Sequence, residues 1–408
     1  MTNTFAGLGI PPELSNVLLK DGIRVPTPVQ EKAIPLVREG KDVIAQAQTG
    51  TGKTLAFVLP ILEKIDPELK EVQALIVTPT RELAIQISQE VGKLAPAVGA
   101  AVLAAYGGQD VEGQIRKLKR VPQVIVATPG RLLDHVRRQT VDLSKLAILV
   151  LDEADQMLHM GFLTEVEDII RRTPATRQTL LFSATMPDNV RRLASKYMRE
   201  PLDIQVKGEQ VTVAAIRQIV IETTDRGRLQ ALKDLILQHR PYLAVVFCRT
   251  KIRAKKLTEE LQLAGFNADE LHGDLSQAKR EQVMRRFREA DLQILVATDV
   301  AARGLDVEGV THVFNYDMPQ DAEMYIHRSG RTGRAGEKGT AITLSSPRDR
   351  GGLLRIEAEI GQTLERRTMD GVTLPAGGRN RRGGAERGAA EGRGRRGDGA
   401  ADSRGERG

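Results

Sequence analysis

The chain has 408 residues, 41% of them hydrophobic and 28% charged, which is enough for two or three domains with cores of their own and too apolar for a chain disordered throughout. Sixty Lys and Arg against 53 Asp and Glu leave a net charge of +7, compatible with a polyanionic partner without establishing one. The single cysteine, Cys248, excludes an intramolecular disulfide and argues against a thiolate zinc site, which fits a reducing cytoplasm. No apolar run approaches the roughly 18 residues of a membrane span, and residues 1–20 lack the basic-then-apolar pattern of a signal peptide.

Short apolar runs at 43–47, 74–78, 124–128, 147–151 and 179–182 read as buried strands, with helical patterns such as 81–94 between them. Strands alternating with helices predict an α/β fold with a parallel sheet covered on both faces. A polar stretch at 207–212 reads as a linker, and a second strand set follows at 216–223, 243–247, 294–297, 312–315 and 340–344. The halves echo each other: a strand, a Thr/Arg turn and a helix, then another strand about fifty residues on. Two copies of one fold are therefore expected, over 1–207 and 208–375. The last 33 residues, 376–408, hold eleven Gly, nine Arg and five acidic residues, with no apolar side chain larger than Ala. Such a Gly/Arg-rich tail cannot bury enough surface to offset chain entropy, so it is expected to be disordered. It carries +4 of the net charge, which leaves the two folded halves nearly neutral.

The first strand runs into Ala47-Gln48-Thr49-Gly50-Thr51-Gly52-Lys53-Thr54 and then an apolar helix. Glycines let successive N–H groups curl around phosphate oxygens, Lys53 can reach the terminal phosphates, and Thr54 can ligate Mg²⁺. Ala47 stands where the general pattern has Gly. The strand at 147–151 ends in Asp152-Glu153-Ala154-Asp155. A carboxylate at the end of a neighbouring strand suits Asp152 to the metal, and Glu153 to polarising an attacking water.

Together these two motifs resemble the DEAD-box family of ATP-dependent RNA helicases. The remaining motifs follow in family order: Gly22 to Gln30 with an upstream Phe5, Pro79-Thr-Arg-Glu-Leu83, Gly107-Gly108, Thr128-Pro-Gly-Arg131 and Ser183-Ala-Thr185. The second half adds Val246 to Thr250, Gln277 to Arg280, Ala297 to Asp306 and His327 to Arg334. The resemblance implies two tandem RecA-like domains, ATP and Mg²⁺ as cofactors, and RNA as partner.

Residue by residue, the resemblance makes Gln30 the reader of the adenine edge. Phe5 is either a second adenine contact or an N-terminal hydrophobic anchor. Ile23 stands where an aromatic often packs on adenine. Asp306 would meet the ribose, and Arg331 and Arg334 match the family's arginine fingers. Asp155, Ser183, Thr185 and His327 would couple the nucleotide pocket to the interface between domains. Arg81, Gly108, Thr128, Arg131, Arg280 and Thr298 occupy the RNA-contacting positions, and their chemistry suits phosphates and sugars rather than base edges. Only 3% of residues are aromatic, which disfavours a base-stacking platform.

The expected function is RNA-stimulated ATP hydrolysis that opens short duplexes locally as the domains close. The tail motivates a different class, an RNA clamp or annealing chaperone whose ATPase regulates grip. A DNA-directed motor of the wider helicase superfamily is disfavoured by Asp155 and Gln30. Nothing in the sequence selects a particular RNA or a ribosomal or degradation-complex partner.

Overall fold

The computed structural model describes residues 4–47, 50–108, 111–118, 121–206, 216–302, 307, 309–333, 338–369 and 373–374. The expected linker at 207–212 and the tail at 376–408 lie outside these residues.

The first sheet contains β1 (Val43–Gln46), β2 (Ala74–Val77), β3 (Val102–Ala105), β4 (Val124–Ala127), β5 (Ile148–Asp152), β6 (Gln178–Ser183) and β7 (Leu202–Gln205). They lie side by side as β3-β4-β2-β5-β6-β1-β7, all parallel. Successive strand residues point to opposite faces, so each face needs its own apolar cover. Ile76, Val126, Val150 and Phe182 pack in one core with the helix Lys53–Lys64, where Phe57 meets the Phe182 ring edge-on at 5.0 Å. Leu75, Ile125, Leu149 and Leu181 pack in the other.

The second sheet repeats the order with β8 (Ile216–Glu222), β9 (Leu243–Cys248), β10 (Ala268–Leu271), β11 (Ile294–Thr298), β12 (Val310–Asn315), β13 (Gly339–Ser345) and β14 (Glu365–Arg367). Its arrangement is β10-β11-β9-β12-β13-β8-β14, the same permutation as the first, which is what a duplicated fold requires. One strand departs from the all-parallel expectation. β15 (Thr373–Leu374) pairs antiparallel to β14, because so short a connection leaves no room for a crossover. Cys248 is wholly buried at the end of β9, and burial pushes its thiol far above the ordinary range.

The apolar runs fall on interior strands. The unexpected β3, β7, β10 and β14 lie at or beside sheet margins, where β7 reads Leu-Asp-Ile-Gln with only Ile204 buried and β14 reads Glu-Arg-Arg. Marginal strands need cover on fewer sides, so β7, β10 and β14 carry no continuous apolar run; β3, Val-Leu-Ala-Ala, does carry one and went unread.

Candidate active site and nucleic-acid interface

The phosphate loop leaves the carboxyl end of β1, where the Ala47 N–H donates to the Ser183 carbonyl at 3.0 Å and ties β1 to the end of β6. Gly50 and Gly52 take φ of +80° and +85°, values that side-chain-bearing residues rarely adopt. A Cβ on Gly52 would lie 2.5 Å from Gln30 Nε2, so a side chain there would also push the Gln30 amide from its place. Thr51 lies between them, and Gln48 and Thr49 lie outside the described residues. Lys53 and Thr54 open the helix Lys53–Lys64, whose N-terminus favours an anion.

Gln30 is 2% exposed and joins two segments. Its Oε1 accepts from the Thr27 N–H at 2.9 Å, and its Nε2 donates to the Gly52 carbonyl at 2.9 Å. A carboxamide has a second lone pair and a second N–H, so this bracing of the loop leaves one of each for a base edge. Phe5 is 3% exposed within the core beneath the first sheet, the setting of an apolar anchor.

Asp152 ends β5, and Glu153 follows with φ +52°, a left-handed conformation that stores strain at this turn. Burial raises the Asp152 carboxyl above its ordinary range, against the opposing pull of Lys53 and of the Glu153 N–H, which donates to Oδ1 at 3.0 Å. Glu153 is pushed up to about 7, first by burial and then by the Asp152 charge, while Lys53 and Arg331 pull it down. Lys53 Nζ and Glu153 Oε2 are both buried with no hydrogen-bond partner among the described residues. A buried ammonium and a buried carboxylate oxygen, each lacking a partner beside a glycine loop, fit a pocket completed by phosphates and a divalent cation. The oxygen donors in reach of such a cation are the Thr54 hydroxyl and Asp152.

The last acidic residue of the tetrapeptide turns towards β6. Asp155 N–H donates to Ser183 Oγ at 3.1 Å, and its Oδ2 accepts from both the N–H and the hydroxyl of Thr185 at 2.8 Å. His327 Nε2, from the second domain, stands 4.0 Å from that same Oδ2. Arg331 is 4% exposed, braced by its Nε donating to the His327 carbonyl at 3.1 Å. The four expected coupling residues thus meet at one point. Asp306 and Arg334 lie outside the described residues.

The expected RNA contacts gather elsewhere. A cleft of about 440 Å³ is lined by Arg81, Thr128 and Arg131 of the first domain and by Arg280 of the second. The Arg81 guanidinium packs so closely on Gly107 and Gly108 that a side chain on Gly108 would collide with it, and Gly108 has φ +84°. Arg131 Nη1 donates to Gln114 Oε1 at 2.9 Å, with His135 Nε2 also 2.9 Å from that oxygen. Thr298 closes β11 and is 9% exposed. Arg280 spans the two domains, with Nη2 donating to Glu82 Oε1 at 2.6 Å and Nε to the same oxygen at 3.0 Å. That ion pair was not foreseen, although Glu82 follows Arg81 in a motif already singled out. Arg328 was also missed. It is 2% exposed and donates to Asp299 Oδ2 at 2.8 Å and to the Asp317 carbonyl at 2.7 Å, which fixes the turn that carries His327 and Arg331.

A glycine loop and buried carboxylates in one domain, approached by an arginine from its structural duplicate, make the pattern of a nucleotide site divided between two domains. The DEAD/DEAH box helicase family matches residues 27–193, and the helicase conserved C-terminal domain matches residues 227–336. The DEAD-box ATP-dependent RNA helicase CshA of Geobacillus kaustophilus is 52% identical over 363 residues, 89% of this chain and 78% of that protein. Dbp5 of S. cerevisiae bound to RNA and ADP BeF3 is 33% identical, with a TM-score of 0.82 over 90% of this chain and 96% of that one. A Dbp5 chain bound to nup159, gle1, ip6 and ADP is 32% identical, with a TM-score of 0.61 over 89% and 96%. The chain belongs to the DEAD-box ATP-dependent RNA helicases, ATP hydrolases built of two tandem RecA-like domains. Of these two Dbp5 chains, the one that holds RNA and ADP BeF3 matches with the higher TM-score.

Proposed function

We propose that this chain couples ATP hydrolysis to closure of its two domains, 1–207 and 208–375, on RNA, and that closure opens short duplexes locally. The observation that carries the reading is the position of Arg331 of the second domain within electrostatic reach of Glu153 of the first. Phosphoryl transfer to water needs the γ-phosphate held in line, its charge spread and the water oriented. Gly50, Gly52 and Lys53 hold the phosphates, and Gln30 reads adenine while bracing the loop. Thr54 and Asp152 hold Mg²⁺, which neutralises phosphate charge. Glu153 orients and deprotonates water, for which a carboxyl raised to about 7 is well matched. Arg331, joined by Arg334, meets the developing negative charge, and Asp306 meets the ribose.

Hydrolysis then requires closure, and closure also completes the cleft from Arg81 and Arg131 on one side and Arg280 on the other. Contacts to phosphates and sugars make RNA binding largely independent of sequence. Asp155, Thr185 and His327 transmit the state of one pocket to the other. Among the described residues no helix is long and apolar enough to cross a membrane, and the proposed compartment is the cytoplasm. The reading is tested by measuring ATP turnover with and without RNA in the wild type and in Glu153→Gln. Strong RNA stimulation in the first and its loss in the second are expected, and equal, RNA-independent turnover in both overturns the reading.

A further inference from the structure

The duplicated fold offers two places where a phosphate ligand could sit, and only one carries the glycine loop. Ligands of parallel α/β sheets gather beyond the carboxyl ends of the strands. Because the sheets share one strand order, β8 stands in the second where β1 stands in the first, and β12 and β13 stand where β5 and β6 do. The helix after β1 starts with Gly52 and Lys53, and the helix after β8 starts with Gly227 and Arg228. Asp152 closes β5, and Asp317 lies just past β12.

At that place in the second domain lies an open cavity of about 680 Å³. Arg228 forms part of its wall and is 3% exposed, with Nη1 donating to the Tyr316 carbonyl at 2.8 Å and Nη2 to Asp349 at 2.7 Å. Its Nε is buried and meets no acceptor among the described residues. Arg249, Arg253, Arg348 and Arg355 complete the cationic lining, and the Arg348 side chain is 88% exposed. Three aspartates also line the cavity, each already engaged: Asp317 with Arg228 and Arg253, Asp349 with Arg228, and Asp225 with Arg228 and Arg348. Positive charge is therefore in excess.

Three helices begin at the wall, Arg228–His239, Lys251–Leu263 and Arg350–Ile360, and contribute Arg228, Arg253 and Gly352; Thr250 caps the second by accepting from the Arg253 N–H, and Asp349 stands at the start of the third. The cationic excess therefore rests on the guanidiniums, whose forked donors suit a phosphate.

We infer that this cavity is a second phosphate-binding site, which takes a polyphosphate or a terminal RNA phosphate without hydrolysing it. Binding rests on the rim arginines. Hydrolysis is not expected, because no glycine loop follows β8 and Asp317 is tied to two guanidiniums, which leaves no carboxylate free to orient water.

The test uses the full chain carrying Lys53→Ala, which removes the competing loop, titrated with inorganic tripolyphosphate in a calorimeter. One site per chain is expected, with affinity at least tenfold weaker when Arg348→Glu and Arg355→Glu are added. Both side chains are exposed, so the fold should tolerate the reversal. No binding to the Lys53→Ala chain, or unchanged affinity in the charge-reversed one, overturns the inference. RNA bearing a 5′-triphosphate, compared with the same RNA bearing a 5′-hydroxyl, separates the sources. A preference that the reversal abolishes assigns the phosphate to RNA, and no preference beside retained tripolyphosphate binding assigns it to a free polyphosphate. Binding of polyglutamate with tripolyphosphate silent would assign the surface to an acidic protein and overturn the phosphate reading. With Lys53 intact, the reversed chain should keep wild-type ATP turnover, and a loss would place these arginines in hydrolysis instead.

Discussion

The two domains share a strand order but treat charge at their strand ends in opposite ways. At the end of the first sheet, Lys53 Nζ and Glu153 Oε2 are buried without hydrogen-bond partners among the described residues. At the end of the second, Arg228 is shared among Asp225, Asp317 and Asp349, and Arg328 is held by Asp299. A buried charge without a partner costs several kcal/mol that a purely structural site has no reason to carry. The difference marks the first end as the one whose missing partners a reaction would supply, and the second as an end whose innermost guanidinium holds the fold.

The largest effect expected from this contrast lies at the arginine that crosses between the domains. Arg331→Ala should lower kcat for RNA-stimulated ATP hydrolysis on the order of 10³-fold, the scale of an arginine finger. Nucleotide affinity, measured by titrating a fluorescent ATP analogue, should change little, because the phosphate loop belongs to the other domain. A fall in kcat of less than tenfold would mean that the second domain does not complete the site.

Stability should show the opposite distribution. Arg228→Met takes away the buried guanidinium that Asp317 and Asp349 share, leaving Asp317 with Arg253 and Asp349 with Ser346, and unfolding in urea should show a loss of about 3 kcal/mol. Lys53→Met removes a buried ammonium with no hydrogen-bond acceptor and should leave stability unchanged or raise it, by as much as about 3 kcal/mol. Similar losses in the two variants would erase the distinction between the domains.

Acidity sharpens the same contrast. Glu153 titrates at about 7 in the folded chain against 4.5 ordinarily, so between those values it is protonated when folded and ionised when unfolded. Its stabilising contribution is complete below about pH 4.5 and is lost as the pH rises through about 7, a change of roughly 3 kcal/mol. The same titration should give kcat/KM an acid limb near pH 7, since the base works only when ionised. Glu153→Gln should flatten the stability change, and a stability profile identical to the wild type would remove Glu153 as its source.

Much of this was legible in the sequence, for identifiable reasons. Interior parallel strands are covered on both faces, so runs such as Leu75-Ile76-Val77 announce themselves, whereas Ala268-Asp-Glu-Leu271 at the sheet margin reads as helix or loop. The loop from Ala47 to Thr54 and the acidic turn at Asp152 are local in sequence, and local chemistry can be read directly. What was hidden was pairing across long separations. The Arg280–Glu82 bridge spans 198 residues, and Gln30 reaches the Gly52 carbonyl through one side-chain amide. Arg228 stands in the topological place of Lys53, but no glycine loop precedes it, so nothing in the local pattern marks it. Only the shared order of the sheets brings the two positions into register.

The smallest expected effect concerns the joint between the domains. Arg280 and Glu82 are each about one-tenth exposed at their side chains, and the 2.6 Å contact exists only when the domains are together. A buried pair made only on closure favours the closed state by the difference between its Coulombic gain and the cost of desolvating both groups, and that difference is modest. Glu82→Gln keeps the shape and one acceptor oxygen but removes the charge. It should raise the RNA concentration needed for half-maximal ATPase stimulation about tenfold, equivalent to about 1.4 kcal/mol, while kcat at saturating RNA stays within twofold. The split matters because Glu82 is remote from the phosphates: an effect on closure moves the RNA requirement, and an effect on chemistry moves kcat. A variant that lost kcat and kept its RNA requirement would show that Glu82 acts on the nucleotide pocket, and that the joint between the domains rests on Asp155 and His327 alone.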